Sequence, residues 1–150
     1  MGQSHSVVTE IEIAASPAAV RSRLLDFAGY KEWHPDWTLT THDTSKSGVD
    51  LRPGDKISCD MKGTKFSPVI NENSENALKW TGDLLGLFVG THQFYYHPSQ
   101  KTPGGTTFIQ REDFTGPLSY FVREGSGGGI STRANFERLN SNLAKSFEQK

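Results

Sequence analysis

Cysteine is almost absent. Cys59 is the only one in 150 residues, so no intrachain disulfide can form and nothing points to an oxidising compartment. No Asn-x-Ser/Thr glycosylation acceptor occurs. Charge of one sign is not in excess: 16 Lys and Arg stand against 17 Asp and Glu, which leaves no electrostatic footprint for nucleic acid or an anionic membrane. Long apolar runs are missing too. No stretch approaches the roughly 20 apolar residues of a membrane span, and Met1 to Ser6 is polar, without the apolar run of a secretion signal. The expectation is a cytoplasmic protein with no nucleic-acid partner and no stable membrane insertion. Metal and cofactor signals are lacking as well. His92 and His97 are five apart, on opposite faces of a strand, and the glycine run Gly125 to Gly129 has neither the Lys-Ser pair nor the parallel βαβ unit of a phosphate-binding loop. No metal and no cofactor is expected.

What is present suits one domain over residues 1–150, with residues 1–5 expected as a flexible N-terminus; 34 % of the residues are hydrophobic, enough for one core. Val7, Thr9, Ile11 and Ile13 alternate with Val8, Glu10 and Glu12, the period of a half-buried strand. Ser16-Pro17 is a helix start, and Val20, Leu24 and Phe27 continue one helical stripe. A second short helix is expected from Ala28 to Trp33, stopped by His34-Pro35. Strand patterns then follow over Trp37–Thr41, Asp55–Met61, Lys65–Asn71, Ala77–Gly82, Phe88–Tyr96 and Thr106–Phe114, separated by turn residues. Pro117 to Glu124 reads as a short helix with Leu118, Phe121 and Val122 on one face. The glycine run is expected to interrupt it from a final helix carrying Phe136, Leu139, Leu143 and Phe147 on one stripe. The sum is an α+β fold: a curved seven-stranded antiparallel sheet wrapped around a long C-terminal helix, with two short helices after the first strand. One helix need not fill the hollow of so large a sheet.

This order resembles the helix-grip fold of the START-like, or SRPBCC, superfamily, and its polyketide cyclase/dehydrase-like branch in particular. The resemblance spans Val7 to Phe147. It is carried by Ile13-Ala14-Ala15-Ser16-Pro17-Ala18-Ala19-Val20, Tyr30-Lys31-Glu32-Trp33-His34-Pro35, Leu78-Lys79-Trp80-Thr81-Gly82, the run Gly86 to Phe94, Glu112-Asp113-Phe114-Thr115-Gly116 and Phe136-Glu137-Arg138-Leu139-Asn140. It implies a ligand cavity between the sheet and the last helix. The superfamily holds enzymes, carriers and receptors, so the resemblance does not set the chemistry. Relatives often carry Asn where this chain has His34.

Within that frame the most informative pair is His92 and Glu112. Phe88, His92, Phe94 and Tyr96 share one strand face, and Phe108, Gln110, Glu112 and Phe114 share one on the next strand. A symmetric hairpin sets His92 opposite Glu112, and a slip of one residue would turn both away. Such a pair can exchange protons with a carbonyl or hydroxyl; the competing reading is a structural hydrogen bond in the sheet. Burial would favour neutral His with protonated Glu, while mutual attraction would favour the ion pair. Trp33, His34, Asp36 and Trp37 would line the cavity mouth or simply form a turn with core tryptophans; Trp80 would be core or cavity wall. Leu84, Leu85, Leu87 and Phe88 would form a gate or contact surface if exposed and a core plug if buried, and Tyr120 and Phe121 pose the same choice. The expected ligand-binding set is thus Trp33, His34, Trp37, Trp80, Phe88, Phe94, Tyr96, Phe108, Gln110, Phe114, Tyr120 and Phe136, with His92 and Glu112 catalytic.

By analogy with the family, the expected function is binding of a small hydrophobic, oxygenated molecule, with cofactor-independent cyclisation, dehydration or isomerisation by His92 and Glu112. A non-catalytic carrier or sensor of a lipid-like ligand is the alternative, and a chaperone-activator-like interaction domain a third. Monomer and homodimer both remain open.

Overall fold

The computed structural model describes residues 4–148. Strand β1 (Ser4–Ile13) buries Val7, Thr9 and Ile13 and exposes Val8 and Glu10, as its alternation requires. Of the expected flexible N-terminus, residues 1–3 lie outside the described residues. Ser4 and His5 are not loose: they pair with Thr115 and Phe114 at the end of the sheet. Helix α1 (Pro17–Leu25) starts where Ser16 Oγ accepts from the Ala19 N–H at 3.1 Å, and it buries Val20, Leu24 and Leu25. A 3-10 turn over Phe27–Gly29 runs into α2 (Tyr30–Trp33), which ends at His34 before Pro35.

The described residues form eight strands, not seven. After β1 come β2 (Trp37–Thr41), β3 (Ile57–Met61), β4 (Thr64–Phe66), β5 (Val69–Asn73), β6 (Ala77–Leu84), β7 (Phe88–Pro98) and β8 (Thr106–Thr115). The single strand expected over Lys65–Asn71 is split, because Pro68 has no N–H to donate to a ladder. Among the described residues β4 forms its ladder with β3, and β5 with β6. The result is a five-stranded sheet in the order β1-β8-β7-β6-β5 and a three-stranded sheet β2-β3-β4, all antiparallel. A bridge between Lys56 and Val69 and a hydrogen bond from Ile70 N to Asp55 O (2.8 Å) join them at a corner, so the surface curls as one.

Helix α3 (Gly127–Lys145) packs along β1 and β8. Leu139 and Leu143 enter the main core with Leu24, Tyr30, Phe94 and Phe108, while Phe136 joins a smaller cluster with Val7 and Phe114. Phe147 lies past the end of α3, packed against the core with the Arg23 guanidinium 4.1 Å above its ring. The break before α3 is made by Arg123 to Ser126. Three of the glycines expected to interrupt the helix instead form its first turn, capped by Ser126 Oγ on the Gly129 N–H. A Cβ on Gly128 would stand 2.2 Å from Phe121 O, and one on Gly129 2.2 Å from Arg123 O, so no other residue fits there. The segment before, a 3-10 helix over Pro117–Val122, buries Ser119 and leaves Leu118, Tyr120 and Phe121 exposed; of the expected face of Leu118, Phe121 and Val122, only Val122 packs inward. Among the described residues no helix is long and apolar enough to cross a membrane.

Candidate functional site

Between β2–β4, the inner face of β6–β8 and the N-terminal half of α3 lies a cavity of about 500 Å³. Its wall is built by period. Trp80, His92 and Phe136 meet on the inner face, with Trp37 from the facing sheet; the His92 ring lies 5.9 Å from Trp37, 5.5 Å from Trp80, 4.7 Å from Phe136 and 4.4 Å from Phe94. Phe88 and Phe114, stacked at 5.3 Å, cover one side. Lys62, Lys65 and Arg138 stand around the opening with Asp36 and Asp83. Arg138 Nε donates to Asp36 Oδ2 at 2.5 Å, which locks α3 to the loop after α2.

His92 faces Glu112 across the β7–β8 ladder, and Nδ1 stands 3.4 Å from Glu112 Oε1. The other ring nitrogen is committed. Gln110 Nε2 donates to Phe136 O (3.1 Å) and to Asn140 Oδ1 (2.8 Å), so Gln110 presents Oε1 to His92 Nε2 at 2.7 Å. Asn140 Nδ2 in turn donates to Thr9 Oγ1 at 2.8 Å. The chain Thr9–Asn140–Gln110–His92 places the imidazole hydrogen on Nε2 and leaves the Nδ1 lone pair toward Glu112. Burial lowers the His92 pKa to about 4 against the smaller pull of the Gln110 hydrogen bond. Burial, with the nearby Asp113 charge, raises Glu112 to about 8. The Glu112 side chain keeps 17 % of its surface exposed and borders the cavity. Burial thus shifts both groups toward the uncharged pair, neutral imidazole beside a protonated carboxyl. Gly90 makes room for that carboxyl: a Cβ there would lie 2.4 Å from Glu112 Oε2.

Of the expected site residues, His34, Trp37, Trp80, Phe88, His92, Glu112, Phe114 and Phe136 border the cavity. Phe94, Tyr96, Phe108 and Gln110 do not. They share the inward face but lie fully buried, Phe94, Tyr96 and Phe108 against α1 and the C-terminal half of α3, and Gln110 as the link that holds His92. Trp33 is half-buried against Tyr30 and His34 behind the wall, and Tyr120 lies outside with Arg123 over its ring. Sequence reasoning missed Thr132, Asn135 and Arg138, which border the cavity from α3, and Asn142, which touches His34. Their spacing of three, three and four was a readable polar stripe beside the apolar one. Among the described residues no group of three His, Cys, Asp or Glu is arranged to hold a metal ion.

Residues 4–148 match the family model described as polyketide cyclase / dehydrase and lipid transport. The chain belongs to this family. Solved structures agree on the fold. A START superfamily protein from Mycobacterium smegmatis is 20 % identical, with 97 % of this chain and 98 % of that one covered and a TM-score of 0.66. Truncated norcoclaurine synthase from Thalictrum flavum is 13 % identical, with 99 % and 97 % covered and a TM-score of 0.71. A hypothetical protein from Helicobacter pylori is 10 % identical, with 96 % and 87 % covered and a TM-score of 0.72. No curated protein matches the chain in sequence. As a member of this family, the chain has the architecture of a hydrophobic-ligand binder.

Proposed function

We propose that the protein binds a small hydrophobic, oxygenated molecule in the cavity and that Glu112, poised by His92, moves a proton on it without a cofactor. The observation that carries this reading is a carboxyl bordering an aromatic cavity, its pKa raised by burial, with His92 Nδ1 3.4 Å from its Oε1. A carboxyl that holds its proton at neutral pH can donate to a ligand carbonyl or leaving hydroxyl. The resulting carboxylate then takes a proton from the neighbouring carbon or oxygen, which restores the starting state. That cycle serves enolisation, and through it dehydration, isomerisation or ring closure. The aromatic walls limit competing water at the ligand, while the Glu112 carboxyl, 17 % exposed, re-equilibrates its proton with solvent between turnovers.

Deuterium exchange into the methyl group of 2-acetylnaphthalene, followed by NMR in D2O, reads this chemistry directly. The wild type is expected to accelerate exchange, and Glu112→Gln and His92→Phe to lower the rate by about 100-fold while the fold persists. Exchange at the wild-type rate in Glu112→Gln would remove Glu112 from the reaction.

The carrier reading draws on a different observation. Leu85 is 88 % exposed and held at φ 53°, and Leu87, Phe121 and Ile130 are exposed as well. Exposed apolar side chains in the segments that carry Leu84, Phe88 and Val122 to the cavity suit a protein that collects an apolar ligand from a surface. Tight binding of a co-purified lipid-like molecule in native mass spectrometry, with no proton exchange on any ketone probe, would favour it.

A further inference from the structure

Among the described residues, His34 is a polar side chain of the cavity wall that is fully buried and half satisfied. Only 1 % of its surface is exposed. Asn142 Nδ2 stands 2.9 Å from its Nδ1 and donates to it, so the neutral ring carries its hydrogen on Nε2. That Nε2 is buried and has no protein partner. A lost hydrogen bond at a buried donor is costly, and few such groups persist without a reason. Burial also lowers the His34 pKa to about 4, against the attraction of Asp36, so the ring stays a neutral donor at physiological pH. Trp37 stands between the two histidines, 5.4 Å from His34 and 5.9 Å from His92. Two polar side chains thus stand along one aromatic wall of the cavity, His34 and Glu112.

We propose that His34 is the specificity-determining donor of the site, and that its Nε2–H selects aromatic ligands bearing an uncharged acceptor oxygen, a ketone or aldehyde, over hydrocarbons of the same shape. A hydroxyl-only ligand is served less well, because Nε2–H offers no acceptor in return. An ammonium is rejected, since it would bring a donor to a donor. The polar stripe of α3 acts through Asn142, which holds the ring in the donating tautomer. This inference rests on the cavity being a binding site, and its test separates the two.

The probes are 2-acetylnaphthalene and 2-isopropenylnaphthalene, which differ only in C=O against C=CH2. Binding is read by quenching of tryptophan fluorescence, and the carbonyl stretch of the bound ketone by infrared difference spectroscopy. In the wild type the ketone is expected to bind at least about 10-fold more tightly than the alkene, with its carbonyl band moved to lower frequency. His34→Phe keeps the ring and removes the donor; the preference should fall below about 2-fold and the band shift vanish. His34→Gln, whose amide N–H reaches a similar position, should restore part of both. If both probes bind the wild type equally and the band does not move, the assignment of His34 is overturned while the cavity stands. If neither probe binds, the ligand-binding reading falls and the His34 role with it. The wild-type infrared measurement decides the question even if a variant fails to fold.

Discussion

His92 and Glu112 titrate in opposite directions for one physical cause, the loss of water around the charged form. Their effects on stability have opposite signs. Glu112 has its pKa raised from 4.5 to about 8, so the native state holds a proton that the unfolded chain releases; its contribution is complete below 4.5 and is lost as pH climbs to about 8. His92 and His34, lowered from 6.5 to about 4, do the reverse: their contribution is complete above 6.5 and is lost as pH falls toward 4. The melting temperature is expected to peak between these limits. Glu112→Gln removes the alkaline loss, so relative to wild type it should gain on the order of 3 kcal/mol between pH 4.5 and 8. Urea unfolding at those two pH values checks this; a constant difference between the proteins would mean that Glu112 is ionised in the fold. The inward parity of both residues was legible in the sequence, because strand side chains alternate with period two. Their protonation was not, because it depends on four aromatic rings from β2, β6, β7 and α3 that meet only in the folded molecule.

At the scale of elements, α3 shows where propensity loses to close approach. Its first turn is Gly127-Gly128-Gly129, the worst helix formers short of proline. Gly127 has nothing within 4 Å of an added Cβ, whereas Gly128 and Gly129 lie against the carbonyls of Phe121 and Arg123. Gly127→Ala is therefore expected to stabilise the protein by about 0.5–1 kcal/mol. Gly128→Ala and Gly129→Ala should each destabilise it by more than about 1 kcal/mol, despite the same gain in propensity. Three thermal melts suffice, and equal gains in all three would show that the 3-10 helix over Pro117–Val122 does not press on α3. Pro68 works in the opposite manner: its chemistry was visible in the sequence, yet a strand was expected to run through it. A proline argues against a central strand, and the ladder does break there.

For the whole molecule, two segments distant in sequence meet at one side of the cavity. Leu84 to Leu87 forms a turn with Leu85 in the left-handed region, and it meets the segment after β8 through a hydrogen bond from Leu118 N to Leu87 O at 2.9 Å. Leu84, Phe88 and Val122 border the cavity from these segments. Amide exchange over 84–88 and 117–129 is expected to slow several-fold when 2-acetylnaphthalene binds, while exchange in β8 stays unchanged. Identical protection with and without the probe would make both segments plain loops.

Periodicity by itself determined the elements, because each side-chain pattern is a local property of β1, β7, β8 and α3 and needs no partner to be read. It also determined which face of β7 and β8 turns inward. Only the tertiary structure decided where along that face the core ends and the cavity begins. Phe94, Tyr96 and Phe108 have the same parity as His92 and Phe88, yet the former are packed and the latter border a hollow. The reason is volume. Toward its C-terminal half α3 delivers Leu139 and Leu143, which fill the space over Phe94 and Phe108 with help from Val20 and Leu24 of α1. Toward its N-terminus it delivers glycines, Thr132 and Asn135, which do not fill it. Parity is set by one strand, but the hollow is the difference between what three layers enclose and what their side chains occupy.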